Sequence, residues 1–483
     1  MHDDKINDKI INKRIRQNYQ FYLLYFAIFA FVMSIKPTIP KGSRDFTSDV
    51  MYRREFIFEN VKAIFKNYGY SPIETPAMEN LETLTGKYGD EGDRLIFKVL
   101  NSGDFLSSVE LDGGISSKLL TKKIAKKALR YDLTVPFARF VVQNQDKIIF
   151  PFKRYQMQNV WRADRPQKGR FREFFQCDVD IVGTKSLLSE VELIQLTDDV
   201  FSSLNIPNIE ININNRKVLV AMVDIMGANN YFNDIVIALD KIDKIGFDNV
   251  KSEIINKGVS VDACKIMEQF LLCNTISELE SLLVKSEMGI QGVKELKFIF
   301  DNIEKIGLKS SIIKFNISLA RGLDYYTGCI FEVISKDLDI GSIAGGGRYD
   351  DLTSVFGKKD LSGLGISFGI DRIFLVMEQL NLFDDQIKKQ ISVMFVNFGE
   401  QEALQCLPML SKLRSNGIRS EIYPDCFKIK KQMSYANNKE IDFVIMYGED
   451  EILQGLLNIK NMSDGSQENI DIDSFMKQII NHV

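Results

Sequence analysis

The sequence predicts an α+β domain built on an antiparallel sheet, carrying a helical insertion and followed by a separate α/β domain. Three observations predict it. Two runs with strand-like alternation, KRYQMQNVWRA (153 to 163) and FREFFQCDVDIVG (171 to 183), flank the segment RPQKG, the pattern of a hairpin with a long tip. Residues of about 220 to 312 read as amphipathic helices. Beyond about residue 390 the runs ISVMFVNFG, IRSEIYP and FVIMYGE alternate with helical segments.

Taken in order, residues 1 to 33 form an N-terminal extension. Within it FYLLYFAIFAFVM (21 to 33) follows the basic KRIR and looks like a signal-peptide hydrophobic region, yet no A-x-A site follows and thirteen apolar residues are few for a membrane span. Translation is expected to begin at Met33, the alternative being a membrane-associating extension. From Asp49 to Tyr68, Val50, Phe56, Ile57, Val61, Ile64 and Phe65 follow helical spacing, with Gly69 placed to end the helix. SPIETPAMEN reads as an extended edge segment, because Pro72 and Pro76 cannot donate to a ladder. The basic LLTKKIAKKALR reads as a solvated loop or hairpin arm. On the second hairpin strand, Gln176, Asp178 and Asp180 alternate and so share a face. A helix over 187 to 204 and the strand IEININN precede the insertion. After it come strand-like SLARGLDYYTGCIFEVIS, SIAGGGRYDDL read as a Gly-rich turn, and GLGISFGIDRIFLVMEQL as a strand entering a helix.

Composition bounds the chemistry. The 483 residues are 45% hydrophobic, enough for roughly two to four domains. The six cysteines are dispersed without a C-x-x-C pair, which argues for a reducing compartment and against a structural zinc site. The two histidines, His2 and His482, stand at the chain ends, so catalysis through a histidine base and metal ligation by histidine are excluded. Carboxylates, arginines, amides and tyrosines are left to do any chemistry.

No G-x-x-x-x-G-K-[ST] occurs, and AGGGRYDD is not a dinucleotide fingerprint; a triple glycine alone reads as a tight turn. The cations are more informative. Residues 152 to 178 hold seven Lys/Arg against three acids in a chain of formal charge −4. Arg162, Arg170, Arg321 and Arg372 each lie beside glycines or acids at a strand, turn or helix start, as planar donors for a polyphosphate would. For any one of them a surface salt bridge is the alternative.

With these residues in view, the chain resembles the histidyl-tRNA synthetases, class II aminoacyl-tRNA synthetases. The hairpin with Arg162 and Arg170 resembles the second class-defining motif, GLGISFGIDRIFLVM with Arg372 the third, and the helix and strand from Phe46 to Pro76 the first. ARGLDYYTG and AGGGRYDDL resemble the two histidine-specific signatures. The resemblance runs from about Pro40 to the C-terminus. It implies a class II catalytic domain over 34 to 385, a helical insertion at about 220 to 312, and an α/β anticodon-binding domain over 390 to 483. The chain departs from many bacterial members in reading LRYDLT for L-R-P-E-G-T and in carrying Asp180 for Glu, choices that resemble the eukaryote-like branch.

The resemblance also implies roles. Arg321 and Arg162 would be catalytic at the α-phosphate, with Arg162, Arg170 and Arg372 binding ATP. Asp132, Thr134 and Gln176 would take the ammonium of histidine, Asp180 and Tyr326 its imidazole, while Tyr325 and the Gly345–Gly347 backbone wall the pocket. As alternatives, Tyr325 and Tyr326 are ordinary strand aromatics and Asp180 a fold-stabilising carboxylate. Magnesium would arrive with ATP, no protein metal site is expected, and L-histidine and tRNA(His) would be partners of a cytoplasmic homodimer without stable membrane association. Residues 386 to 483 carry eleven Lys/Arg and thirteen Asp/Glu, so only KIKK at 428 to 431 suggests an RNA phosphate contact. Other readings are a catalytically silent, histidine-sensing paralogue and a general RNA-binding protein.

Overall fold

The first long helix, α1 (Ser48–Asn67), buries Arg54, Ile57, Val61 and Phe65, three or four residues apart, so a single face packs. The chain leaves it through Tyr68 and Gly69, whose φ of +80° glycine adopts without steric cost. The computed structural model to which these elements belong describes residues 36–86, 89–107, 109, 116–320, 326–351, 353–383 and 392–480. The apolar stretch at 21 to 33, Arg321 and Tyr325 lie outside the described residues.

Among the described residues eleven strands follow before the C-terminal part: β1 (Ser71–Pro72), β2 (Met78–Asn80), β3 (Lys98–Val99), β4 (Lys127–Leu129), β5 (Phe152–Trp161), β6 (Glu173–Val182), β7 (Ile209–Asn215), β8 (Ser311–Phe315), β9 (Cys329–Ser335), β10 (Ala344–Tyr349) and β11 (Gly363–Gly369). Eight of them form one sheet in the order β1-β5-β6-β11-β10-β9-β7-β8, antiparallel throughout except for the two edge pairs. Phe65 of α1 packs on this sheet against Tyr155 and Phe368, with ring centroids 5.6 and 5.7 Å away. The extended reading of SPIETPAMEN holds: β1 pairs at the sheet edge, and β2 joins β4 and β3 in a small second sheet.

Two expectations are corrected. The AGGGRY segment is not a turn but β10, in the interior of the large sheet. A Cβ on Gly346 would stand 2.0 Å from the Gly365 carbonyl oxygen, and one on Gly347 2.6 Å from that of Cys329. The glycines serve close backbone approach rather than a reversal of the chain. Likewise, part of LLTKKIAKKALR is helical: α2 (Ser117–Ile124) is capped by Ser116, whose Oγ accepts from the Leu119 N–H at 3.3 Å. Good helix formers and the cap carry this helix, since it buries no residue.

Helix α3 (Thr134–Gln143) precedes the β5–β6 hairpin, and α4 (Leu188–Ser203) follows it. The insertion runs as helices from α5 (Arg216–Ile225) to α6 (Glu287–Ile306), and residues 311 and 312, expected to be helical, begin β8. Its Val218, Leu219, Met222, Val293 and Leu296 share one hydrophobic cluster with Ile211 and Val333 of the sheet. The returning chain is fastened by Asp198 of α4, which accepts from the backbone N–H groups of Lys309, Ser310 and Ser311 at 2.5, 3.1 and 2.7 Å.

Helix α7 (Ile370–Gln379) continues from β11. Asp371 in its first turn accepts from Arg44, from Arg54 Nη1 of α1 at 2.6 Å and from the Phe175 N–H at 3.1 Å, tying both helices to the hairpin. The C-terminal part has its own core and a mixed sheet ordered β13-β12-β14-β15-β16, of β12 (Ser392–Phe395), β13 (Arg419–Ile422), β14 (Phe443–Met446), β15 (Leu457–Asn461) and β16 (Gln467–Ile470). The last two strands were not anticipated. Arg419 donates to the Tyr52 hydroxyl at 3.0 Å, linking this part to α1. Among the described residues no helix is long and apolar enough to cross a membrane.

Candidate active site

Strand pairing builds the site from β6 outward. Across the hairpin Arg154 pairs with Asp180, Gln156 with Asp178 and Gln158 with Gln176; on the other side β11 sets Gly365 beside Asp180 and Ser367 beside Asp178. Strand β10 then places Gly347 beside Gly365 and Gly345 beside Ser367. Because alternate residues share a face, one surface of the sheet is polar on β5 and β6 and nearly bare of side chains on β10 and β11. A Cβ on Gly365 would fall 2.0 Å from Asp180 Oδ1, and one on Gly347 2.9 Å from the Tyr326 ring, so both glycines make room for polar side chains.

A cavity of about 150 Å³ opens over this face, lined by Asp132, Thr134, Arg162, Gln176, Asp178, Asp180, Tyr326, Gly345, Tyr349, Gly365, Ile366 and Ser367. The expected Asp132, Thr134, Gln176, Asp180 and Tyr326 therefore converge, and Gly345 joins the wall. Asp132 accepts from the Val135 N–H at 3.2 Å at the start of α3. Gln176 Nε2 donates to Ser367 Oγ at 2.7 Å. Arg162 lies just past the end of β5 rather than on it, donates Nε to the Tyr131 carbonyl at 3.1 Å, and stacks over the Tyr131 ring at 4.3 Å.

Of the three expected arginines that are described, Arg162 lines the cavity and the other two do not. Arg170 lies outside the lining, half-exposed and paired with Asp164 at 3.1 Å, the surface salt bridge that was the alternative for it. Arg372 is also outside the lining; it donates Nη1 to the Ser342 carbonyl at 2.5 Å and Nε to that of Gly169 at 3.3 Å, holding the hairpin tip against α7.

Asp180 is more tightly engaged than its expected role requires. Its Oδ2 is 2.7 Å from Arg154 Nη2, and its Oδ1 accepts from the Tyr349 hydroxyl at 2.7 Å. Arg154 is fully buried, its guanidinium 4.1 Å from the Phe137 ring centroid. Asp180 is thus a fold-stabilising carboxylate as well as a wall of the pocket. Burial raises the Asp180 carboxyl against the pull of Arg154, and burial also holds the Tyr349 phenol far above its ordinary range, so that it keeps the proton it donates.

Asp178, Arg154, Tyr349 and Ser367 were missing from the expected site, although the same alternation that groups Gln176 with Asp180 puts Asp178 between them. Asp178 is 2% exposed, and its Oδ1 has no hydrogen-bond partner among the described residues. Burial pushes its carboxyl up to about 7, Arg154 and a Ser367 hydrogen bond pulling it down and Asp180 raising it. Among the described residues no cluster of His, Cys, Asp and Glu is arranged to hold a metal ion.

Comparison with known proteins places the chain in a family. The family model described as histidyl-tRNA synthetase matches residues 42–373, and that of an anticodon-binding domain matches residues 390–482. A histidine-tRNA ligase of Flavobacterium johnsoniae is 50% identical over 474 residues, spanning 93% of this chain and 100% of its own length. One of Bacteroides fragilis is 52% identical over 443 residues, 90% of this chain and 97% of its own. The crystal structure of the histidyl-tRNA synthetase from Nostoc sp. superposes with a TM-score of 0.76 at 26% identity, covering 93% of this chain and 100% of that one. Matched along both its parts, with the pocket residues gathered on the hairpin and the strands beside it, the chain belongs to the histidyl-tRNA synthetase family.

Proposed function

We propose that this chain ligates L-histidine to tRNA(His) through a histidyl-adenylate, consuming ATP and releasing AMP and diphosphate. The observation that carries the reading is the cavity in which Asp132, Thr134, Gln176, Asp180 and Tyr326 meet Arg162. In the first step a histidine carboxylate oxygen bonds to the α-phosphorus while the bond to the β-phosphate bridging oxygen breaks, expelling diphosphate. That carboxylate is already ionised at neutral pH, so no general base is needed. The difficulty is an anion approaching a polyanion, and positioned cations in a water-poor site answer it.

Arg162, braced by the Tyr131 carbonyl and ring, takes the α-phosphate, and Arg321 the α-phosphate and substrate carboxylate. Arg170 and Arg372, at the hairpin tip and at α7, receive the outer phosphates, with magnesium arriving on the nucleotide as part of the substrate. Asp132, Thr134 and Gln176 take the ammonium group, Tyr326 and the Asp180 wall bound the imidazole, and Tyr325, outside the described residues, is assigned to the same pocket. In the second step the terminal ribose 3′ hydroxyl attacks the acyl carbon, AMP leaves, and the hydroxyl proton is released.

The catalytic domain is assigned to 34 to 385 with its insertion at about 220 to 312, and the anticodon-binding domain to 390 to 483. The enzyme acts as a cytoplasmic homodimer without stable membrane association. The silent, histidine-sensing paralogue is not favoured, since relatives of about half-identical sequence are named ligases and the anticodon-binding match is present. The test is histidine-dependent ATP–pyrophosphate exchange by the purified chain, followed by charging of tRNA(His). Folded protein that exchanges with no amino acid would overturn the reading.

A further inference from the structure

Behind the cavity wall a chain of hydrogen bonds ends on the residue next to Tyr326. The Tyr326 ring lies against β10, where a Cβ on Gly347 would fall 2.9 Å from it. Thr327, the following residue, is tied to the end of the same strand. Its N–H donates to the Arg348 carbonyl at 2.8 Å, its hydroxyl donates to Asp350 Oδ2 at 2.7 Å, and that hydroxyl accepts in turn from the Asp350 N–H at 3.1 Å. Asp350 is itself anchored: its other carboxylate oxygen accepts from Ser362, whose Oγ accepts from Arg348 Nη1 at 2.6 Å. Arg348, 5% exposed, is held by both oxygens of the fully buried Glu190 of α4 at 2.6 and 2.7 Å and by the carbonyls of Thr184 and Ser186 at 3.0 and 3.2 Å. Arg348 adjoins Gly347 on β10 and so faces away from the cavity. None of Thr327, Arg348, Asp350 and Ser362 lines the cavity.

We infer that Asp350 is a positioning residue for the amino-acid pocket: by gripping Thr327 it fixes Tyr326 over Gly347, and so sets how closely the pocket fits histidine without touching the substrate. The inference rests on Tyr326 bounding the imidazole, as proposed above. Gly347 offers no side chain to steady the ring above it, whereas the Tyr326 backbone is continuous with that of Thr327. Hydrogen bonds to a carboxylate are shorter and stronger than those between neutral groups, and Asp350 receives one from each of two segments, Thr327 ahead of β9 and Ser362 ahead of β11. The base of the chain is rigid. All five guanidinium N–H donors of Arg348 are engaged, two of them by Glu190, so the base has no second arrangement of equal satisfaction. Misplacing a pocket group by about 1 Å can cost on the order of a hundredfold, so a hydroxyl and a carboxylate that touch no substrate can still govern its fit.

The experiment is histidine-dependent ATP–pyrophosphate exchange by the full chain, with KM measured separately for L-histidine and for ATP, in the unaltered protein, Asp350→Ala, Thr327→Val, Thr327→Ser and the double variant Asp350→Ala with Thr327→Val. Asp350→Ala and Thr327→Val should each raise the KM for histidine by about ten- to a hundredfold while that for ATP stays within about twofold. Thr327→Ser keeps the hydroxyl and should behave as the unaltered chain. The double variant should be no worse than the poorer single one, because both substitutions cut the same link. An unchanged KM for histidine, equal rises in both KM values, serine as damaging as valine, or effects that multiply would each overturn the inference. Should Asp350→Ala fail to fold, Thr327→Val decides; if both unfold, the link holds the fold rather than the pocket and the inference is wrong. An unaltered chain that exchanges with no amino acid rejects the proposed function and this inference with it. One that exchanges with histidine while the variants match it rejects this inference alone.

Discussion

Replacing Arg154 tests whether the floor of the pocket is held by charge. Arg154 has no solvent exposure and stands 2.7 Å from Asp180, itself 2% exposed, so Arg154→Met leaves comparable volume but strands a carboxylate in the interior. Removing one partner of a buried pair costs about 3–5 kcal/mol. Loss of the guanidinium from the Phe137 face, 4.1 Å away, adds roughly 1–2 kcal/mol. Two features soften the loss: Tyr349 still donates to Asp180, and burial already raises that carboxyl, so it can take a proton instead of remaining charged. The expected net destabilisation is therefore about 3–4 kcal/mol at pH 7. The double variant Arg154→Met with Asp180→Asn removes both charges and should recover at least half of it. Urea denaturation followed by circular dichroism, at unchanged m-value, measures all of these. A loss below about 1 kcal/mol, or a double variant no more stable than the single ones, would show that the pair is not what holds the floor.

Asp178→Asn should change how stability responds to pH. The folded carboxyl keeps its proton up to about pH 7 while the unfolded one loses it near 3.9, so the native state sheds about 1.4 kcal/mol per unit as pH rises through that window. Asparagine does not titrate, and its advantage over aspartate should grow by about 3 kcal/mol between pH 5 and pH 8 in denaturant titrations; a constant difference would refute the assignment. Gly346→Ala should cost roughly 3 kcal/mol or prevent folding, because its Cβ would meet the Gly365 carbonyl oxygen at 2.0 Å, and an unchanged Tm would contradict the close approach of β10 and β11. A chain beginning at Met33 should equal the full-length chain in solubility and in pyrophosphate exchange; loss of either on removing residues 1 to 32 would show that the extension is needed.

The hairpin was legible because its two strands alternate and a Pro/Gly segment separates them, and that alternation also grouped Gln176, Asp178 and Asp180. What alternation cannot tell is which of three carboxyls and amides on one face is satisfied by neighbours. Asp180 proved to be ion-paired with Arg154 and hydrogen-bonded by Tyr349, while Asp178, named as sharing the surface but given no role, has one oxygen with neither a hydrogen bond nor an ion pair among the described residues. The triple glycine was misread because local preference favours a turn, whereas the demand met by Gly346 and Gly347 comes from strands distant in sequence. Arg170 and Arg372 were correctly placed on their elements. Their separation from the cavity depends on the length of the hairpin tip and on contacts with Ser342 and Gly169.

The polar side chains of the proposed pocket stand on every second residue of a single strand, with backbone on the facing strands, and this constrains how such a pocket can change by descent. Substitution at 176, 178 or 180 alters one contact at a time. Insertion or deletion of a single residue among them would rotate the others to the opposite face, where Cys177 and Val179 now lie in the hydrophobic core. Such a lineage can therefore exchange the letters of this strand but not change its length, and differences in length should accumulate instead at the hairpin tip, between Ala163 and Arg172.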